Sequence, residues 1–374
     1  MRIAFDGRVI KGRKCGTGVY AEGLLNALMS VDRDNLYMVF TNDAPDSRTK
    51  NVKSVTTKFS IENHPLGDIW EQFYLPLYLN GKKIDVIHSP TFHIPFLGNG
   101  IKKIVTIHDM VSYLYPKTQP MPFVMYSKFM IKSAINSAHG IVVSSETAKE
   151  QIVDHFKAPP ELFHVIHGAP RDIFKPVGRA VKDFIKDKYA LPDQFILFVG
   201  SIEPRKNIRS LVKAYSELKR SNQISHKLVI CGTKGWLNEY EKVLETIEET
   251  GVRNDVIFTG YVPDEDLPGF YGLADLFVYP SLYEGFGLPP LEAMACGCPV
   301  IASNYSSIPE VVGEGGVLID PFDIDELALA ILKVSQDDGL KSRLKEAGIK
   351  RALQFSWERS ARSTIEMYMN IARN

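Results

Sequence analysis

The run Glu284–Ser303, EGFGLPPLEAMACGCPVIAS, decides how the rest of the chain is read. It opens with a Gly-x-Gly turn at Gly285 and Gly287, passes Pro289 and Pro290 into a small apolar segment, and closes at Gly297. Proline is favoured in the first helical turn and glycine just past the last, so the pattern predicts a short helix starting near Pro289. The apolar Pro299–Ala302 that follows is short and strand-like. A glycine loop feeding a helix N-terminus offers unpaired backbone N–H groups and the positive end of the helix dipole, which suits a phosphate or diphosphate. Glu284 precedes this cradle and Glu292 lies inside the helix. Carboxylates there would repel an anion unless they face hydroxyls. A nucleotide bearing a sugar has hydroxyls at both ends, so the pattern predicts a nucleotide-sugar site built on Glu284, Gly285, Phe286, Gly287, Leu288 and Glu292.

At 374 residues the chain exceeds one typical core and should split in two. Lysine plus arginine equals aspartate plus glutamate, 44 of each, so the overall charge predicts no nucleic acid or other polyanionic partner. Of Cys15, Cys231, Cys296 and Cys298, none form a C-x-x-C pair, and the last two are too close for an ordinary bridge. Free thiols in a reducing cytoplasm are expected. The N-terminal MRIAFDGRVI is too quickly charged for a signal peptide, and no apolar run approaches the ~18 residues that span a bilayer. The expectation is a cytoplasmic protein, soluble or at most peripheral on the inner face of a membrane.

Short apolar runs alternate with helical segments throughout, the pattern of parallel sheets covered by helices. In the first half the predicted strands are Ile3–Asp6, Tyr37–Thr41, Val86–His88, Ile104–His108 and Gly140–Ser144, with helices such as Gly18–Met29 and Ser127–Ala138. The same grammar restarts at Phe195–Gly200, Leu228–Gly232, Val256–Thr259, Leu276–Tyr279, Val300–Ala302 and Val317–Leu318. Two doubly wound α/β domains are predicted, residues 1–172 and 173–356, joined through the irregular run His167–Val177. An amphipathic terminal helix follows, with apolar residues at Phe355, Trp357, Ile365, Met367, Tyr368 and Ile371.

Glu203-Pro204-Arg205-Lys206-Asn207 follows directly on the predicted strand Phe195–Gly200. At the carboxyl end of a parallel strand, Arg205 and Lys206 are placed to meet a diphosphate; alone, such a pair is more often a solvated surface feature. Gly12, Gly16 and Gly18 form a second glycine-rich entry, which lacks the third glycine of a dinucleotide fingerprint because Ala21 stands there. A loop that closes over phosphate or acceptor, with Gly18 offering its N–H, is one reading, and a plain flexible loop is the other. Two Asp-x-Asp runs, Asp264-Glu265-Asp266 and Asp323-Ile324-Asp325, lie where helices start and are read as caps. His108-Asp109 can be a strand-end histidine capped by its neighbour.

Glu284 and Glu292 within EGFGLPPLEA, with FVGSIEPRKN at Phe198–Asn207 and FTGYVPDEDLPGFY at Phe258–Tyr271, resemble the family-4 retaining glycosyltransferases, also called group 1. The resemblance covers most of the C-terminal half and returns weakly elsewhere. It implies two facing Rossmann-like domains of the GT-B type, with the segment 357–374 crossing back to the N-terminal domain and the substrate in the cleft between. It implies that His108 reaches toward the transferred sugar, that Glu284 holds that sugar near its C3 and C4 hydroxyls, and that Glu292 holds the ribose. Lys206 and Arg205 then meet the diphosphate; many relatives carry an arginine where this chain has Ser201, and Arg205 is the substitute. The backbone at Val262, beside Tyr261, meets the base. Transfer with retention follows, the leaving phosphate oxygen acting as base on the same face of the sugar, with no metal and no cofactor beyond the nucleoside diphosphate sugar. The run CGTKGW, Cys231–Trp236, is similar to mannosyltransferases of surface-polysaccharide pathways. This implies GDP-mannose as donor and a glycan or lipid-linked oligosaccharide as acceptor, with peripheral membrane contact. A UDP- or ADP-sugar donor, an epimerase and a non-catalytic nucleotide-sugar-binding protein of the same fold remain as alternatives.

Overall fold

The computed structural model describes residues 1–10, 16–42, 51–59, 66–95 and 100–373. Gly12 and Cys15 lie outside these. The chain divides into two compact units, Met1–Tyr113 with Pro122–Ala169 and Ser356–Asn374, and Leu114–Met121 with Pro170–Phe355.

The first unit holds a seven-stranded parallel sheet: β1 Arg2–Asp6, β2 Leu36–Thr41, β3 Val52–Thr56, β4 Val86–Ser89, β5 Lys102–Ile107, β6 Gly140–Val143 and β7 Phe163–Val165, in the order β3-β2-β1-β4-β5-β6-β7. The second holds a six-stranded one: β8 Phe195–Val199, β9 Lys227–Cys231, β10 Val256–Gly260, β11 Leu276–Tyr279, β12 Val300–Ser303 and β13 Val317–Ile319, in the order β10-β9-β8-β11-β12-β13. Both are doubly wound. Central strands such as β8 (FILFV) and β11 (LFVY) are apolar at successive positions because helices cover both faces. The strand order reverses between β1 and β4 in one sheet and between β8 and β11 in the other, where a crevice opens at the carboxyl ends.

Two strands escape a reading by apolar runs, and both are sheet edges. β3 (VKSVT) is nowhere fully buried, and β7 has three residues. β5 stops at Ile107, so His108 stands just past the strand and not in it. The helix predicted from Gly18 runs Gly16–Val31, and that predicted from Ser127 runs Met121–Ser137.

The last helix, Trp357–Arg373, begins after Phe355, whose ring meets Phe286 edge-on in the second unit. Its own buried stripe is Ser360, Ala361, Thr364, Met367, Tyr368 and Ile371, a helical spacing, and it packs in the first unit's core. Trp357 meets Tyr20 edge-on at 5.6 Å. The Tyr368 hydroxyl lies 2.5 Å from Nδ1 of the fully buried His88 on β4, whose Nε2 is 3.1 Å from Thr106 Oγ1. Tyr368→Phe should leave that imidazole nitrogen unsatisfied and cost about 1–3 kcal/mol. Urea unfolding of parent and variant checks this, and an unchanged midpoint would contradict it.

Candidate active site

The switch point of the second sheet brings two loops together. One runs from Gly200 to Lys206 after β8, the other from Ser281 to Glu284 after β11. They are stitched by the Leu282 amide donating to the Arg205 carbonyl at 2.8 Å and by Ser281 Oγ donating to the same carbonyl at 3.1 Å. The loop after β9 presses on the first. Gly200 and Gly232 both take φ above +150°, and a Cβ on Gly232 would sit 1.9 Å from the Gly200 carbonyl oxygen. Only glycine permits that approach.

Glu284 sits at the centre. Its Oε1 lies 2.6 Å from Lys206 Nζ, 2.8 Å from Arg205 Nη1, 2.6 Å from Ser281 Oγ and 3.0 Å from the Tyr279 hydroxyl. All four contacts fall on one oxygen, and Oε2 accepts from no group among the described residues. Burial alone would push this carboxyl up, but Arg205 and Lys206 outweigh it and hold the pKa down at about 2. Lys206 is itself buried, which pushes its ammonium down, as does Arg205, while Glu284 pulls it back up. Two of its three N–H groups go to Glu284 and Tyr279.

Glu203, which the sequence reading passed over, organises the first loop. Its Oε1 accepts from Ser201 Oγ at 2.6 Å and from Trp236 Nε1 at 3.1 Å, and its Oε2 accepts from Arg205 Nε at 3.1 Å. Arg205 also donates to the Tyr283 carbonyl at 3.2 Å. Ser201 and Arg205 are thus engaged by protein carboxylates in this structure. Pairing of a glutamate two residues before an arginine is common enough that the sequence carried no signal for it.

The glycine turn leads into the helix Leu288–Ala295, with Gly287 at its N-cap (φ 117°). A Cβ there would meet Ile308 Cδ1 at 2.8 Å. The cradle is leaner than a helix N-terminus predicts. Pro289 and Pro290 occupy the first turn and have no N–H, so the amides of Gly287 and Leu288 are the donors left there. Neither donates to any group among the described residues. Ser306 and Ser307 hold the turn from behind, with the Ser307 hydroxyl 2.9 Å from the Glu284 carbonyl and 2.8 Å from that of Phe286.

Glu292, on that helix, is buried, and Arg171 Nη2 stands 3.9 Å from it. Burial pushes its pKa up to about 8, against the pull of Arg171 and with the push of Asp264. Arg171 pairs with Asp264 at 2.6 Å. Asp264 and Asp266 therefore do not cap as expected. Asp266 takes Lys188 Nζ at 2.7 Å and the Tyr189 hydroxyl at 2.6 Å, while its backbone alone starts the helix Leu267–Leu273. Asp323 does cap, accepting from the Glu326 amide at 2.9 Å. Among the described residues no group of three or more His, Cys, Asp or Glu is placed to hold a metal ion. Cys231, Cys296 and Cys298 are buried free thiols.

Val262 is a core residue whose amide donates to no group among the described residues, beside an exposed Tyr261. In the first unit, His108 Nε2 donates to the Pro90 carbonyl at 3.0 Å and its ring meets Tyr20 edge-on at 4.9 Å. Burial pushes its pKa below the usual value, opposed by that hydrogen bond and by Asp109. A neutral imidazole whose Nε2–H is spent presents Nδ1 as an acceptor. Asp109 accepts from the Val111 amide at 3.0 Å, a local turn. Gly18 lies inside the first turn of Gly16–Val31, where an amide has no intrahelical partner.

Residues 15–169 match glycosyltransferase family 4, and residues 181–351 match glycosyl transferases group 1. The chain is 36% identical to O-antigen chain mannosyltransferase B of Escherichia coli over 82% of its own length and 77% of that protein's. The chain belongs to the group 1, family 4 glycosyltransferases. It is also 32% identical to the serotype-specific mannosyltransferase WbdA of Escherichia coli over 77% of its length, which spans 36% of that longer protein. Among solved structures, sucrose-phosphate synthase from Thermosynechococcus elongatus superposes with a TM-score of 0.77 at 22% identity, covering 99% of both chains. The glycosyltransferase WaaG gives 0.75 at 15% identity, covering 98% of this chain and 99% of that one. The fold is thus that of the GT-B glycosyltransferases.

Glu292 yields a test free of substrate. Its pKa is about 8 in the folded protein and 4.5 ordinarily, so between those values the folded state binds a proton the unfolded state lacks. Stability falls as pH rises through that window. Glu292→Gln removes this slope, and its melting temperature should gain on the parent's between pH 5 and pH 8.5. Parallel melting curves across that range would contradict the assignment.

Proposed function

We propose that this glycosyltransferase moves a hexosyl group, mannose from GDP-mannose, with retention onto a hydroxyl of a glycan or lipid-linked oligosaccharide. The observation that carries the donor reading is Glu284, fixed through Oε1 by two cations with Oε2 left to accept. Oε2 takes a hydroxyl of the transferred sugar, and Glu292, eight positions on and inside the helix, takes the ribose. Between them the amides of Gly287 and Leu288 and the remaining N–H of Lys206 receive the diphosphate. As the anomeric C–O bond breaks, these donors stabilise the charge building on the leaving group. The acceptor oxygen bonds to the anomeric carbon on the same face, and its proton passes to the leaving phosphate oxygen. His108 accepts from a sugar hydroxyl through Nδ1. Mannose is favoured by the names of the two mannosyltransferases described above, at 36% and 32% identity. A UDP-sugar donor has its own support, since HepE of Anabaena, solved with UDP-glucose, shares the fold at a TM-score of 0.76.

Thermal shift against GDP, UDP and ADP and their sugars tests the donor, because a ligand held by the folded state raises its melting temperature by mass action. GDP and GDP-mannose should give the largest shifts; a larger shift with UDP-glucose overturns the GDP assignment. Transfer should survive EDTA, since protein groups meet the diphosphate. Loss restored by manganese or magnesium would sink that expectation.

The two glutamates separate by kinetics. Glu292→Gln should weaken both free diphosphate and intact donor. Glu284→Gln should spare the free diphosphate and depress single-turnover transfer, its contact being to the sugar as the anomeric carbon gains positive character. Equal weakening of the free diphosphate by both would reverse the roles.

A further inference from the structure

The carboxyl edge of the second sheet carries a row of aromatic rings that the donor site does not use. Tyr283 follows β11, Tyr305 follows β12 and Phe322 follows β13, three neighbours in the sheet order. Adjacent strands lie about 4.8 Å apart, so the loops at their ends set successive rings close to one sugar ring apart. Tyr305 and Phe322 meet edge to face with centroids at 5.3 Å, yet Tyr305 is 39% and Phe322 58% exposed. Tyr283 is buried, and the half-buried Tyr115 covers it at 5.3 Å. Tyr115 belongs to Leu114–Met121, which folds with the second unit. Burial, and then the nearby Tyr305, push its phenol above the usual value. The row is tied to the site, since the Glu284 amide donates at 3.3 Å to the hydroxyl of Ser306, the residue after Tyr305.

Charge and position together select the ligand. Asp320 and Asp323 flank Phe322, and Asp320 Oδ1 accepts from the Phe322 amide at 2.9 Å. Carboxylates repel phosphates and accept from hydroxyls, which disfavours nucleic acid and anionic lipid and suits a carbohydrate. Position follows from the sheet order. On the donor reading, the base lies by Val262 after β10, the diphosphate by Lys206 after β8 and the transferred sugar by Glu284 after β11. β12 and β13 continue that order beyond the sugar. We infer that Tyr115, Tyr305 and Phe322 form the subsites of an oligosaccharide acceptor, its terminal sugar at Glu284 and the next ones on the rings. The C–H groups on a pyranose face are weakly positive and meet the negative face of an aromatic ring, while its hydroxyls turn outward. This inference rests on Glu284 facing the transferred sugar.

Calorimetric titration of the full chain, with GDP present, by linear α-mannotetraose and by mannose tests it. The tetraose should bind, and mannose should bind about tenfold more weakly, because only the longer chain reaches the outer rings. Tyr305→Ala and Phe322→Ala should each weaken the tetraose about fivefold, and Phe322→Tyr should restore it. Phe184→Ala, at an exposed ring on the helix Arg179–Tyr189, should change nothing. All these rings are exposed, so the variants should melt with the parent and keep its GDP affinity. Equal tetraose affinity in the parent and both alanine variants overturns the proposal, as does equal affinity for tetraose and mannose. A parent that takes up no GDP overturns the donor reading and this inference with it. A parent that binds GDP and not the tetraose overturns this inference alone.

Discussion

A single carboxylate oxygen organises the second unit's crevice. Glu284 Oε1 draws Arg205 and Lys206 from the loop after β8 to Ser281 and Tyr279 from the end of β11. Removing charges from water costs several kcal/mol per ion, and that cost is offset only when each group is met on several sides. Here it is met by two cations and two hydroxyls. The arrangement leaves an ionised carboxylate with one oxygen committed and one open, a rigid acceptor.

Glu203 repeats the device on a smaller scale. It joins Ser201, Arg205 and Trp236 through both oxygens. Arg205 is thereby clamped between two carboxylates, and its guanidinium plane is set before any ligand arrives. Such preorganisation lowers the reorganisation needed at the moment of reaction.

Much of this was legible in the amino-acid sequence, and the limits have physical causes. Buried parallel strands announce themselves as apolar runs, so eleven could be read; β3 and β7 are edges without that constraint. The helix at Leu288–Ala295 was legible from Pro289, Pro290 and Gly297, yet those same prolines remove the donors the reading expected. Glu284 and Glu292 could be singled out by the glycine-turn block around them, and Lys206 by its place after a predicted strand and by the family resemblance, whereas their partners could not. Ser281, Tyr279 and Glu203 lie within a few residues of the groups they hold, but common polar residues in a loop carry no signal of pairing, and Arg171 and the Glu284 pairs with Arg205 and Lys206 are brought together only by the topology. The Asp264–Asp266 run read as a cap because local rules favour one, and long-range pairing with Arg171, Lys188 and Tyr189 overrode them.

The contact between Gly200 and Gly232 has a consequence for redesign. With the two backbones in van der Waals contact, and Trp236 hydrogen-bonded to Glu203, the segments 200–207 and 232–236 cannot be varied independently. Replacing Trp236 would release Glu203, and with it one of the carboxylates that set the Arg205 guanidinium. Any exchange of either segment should therefore be made as a cassette of both.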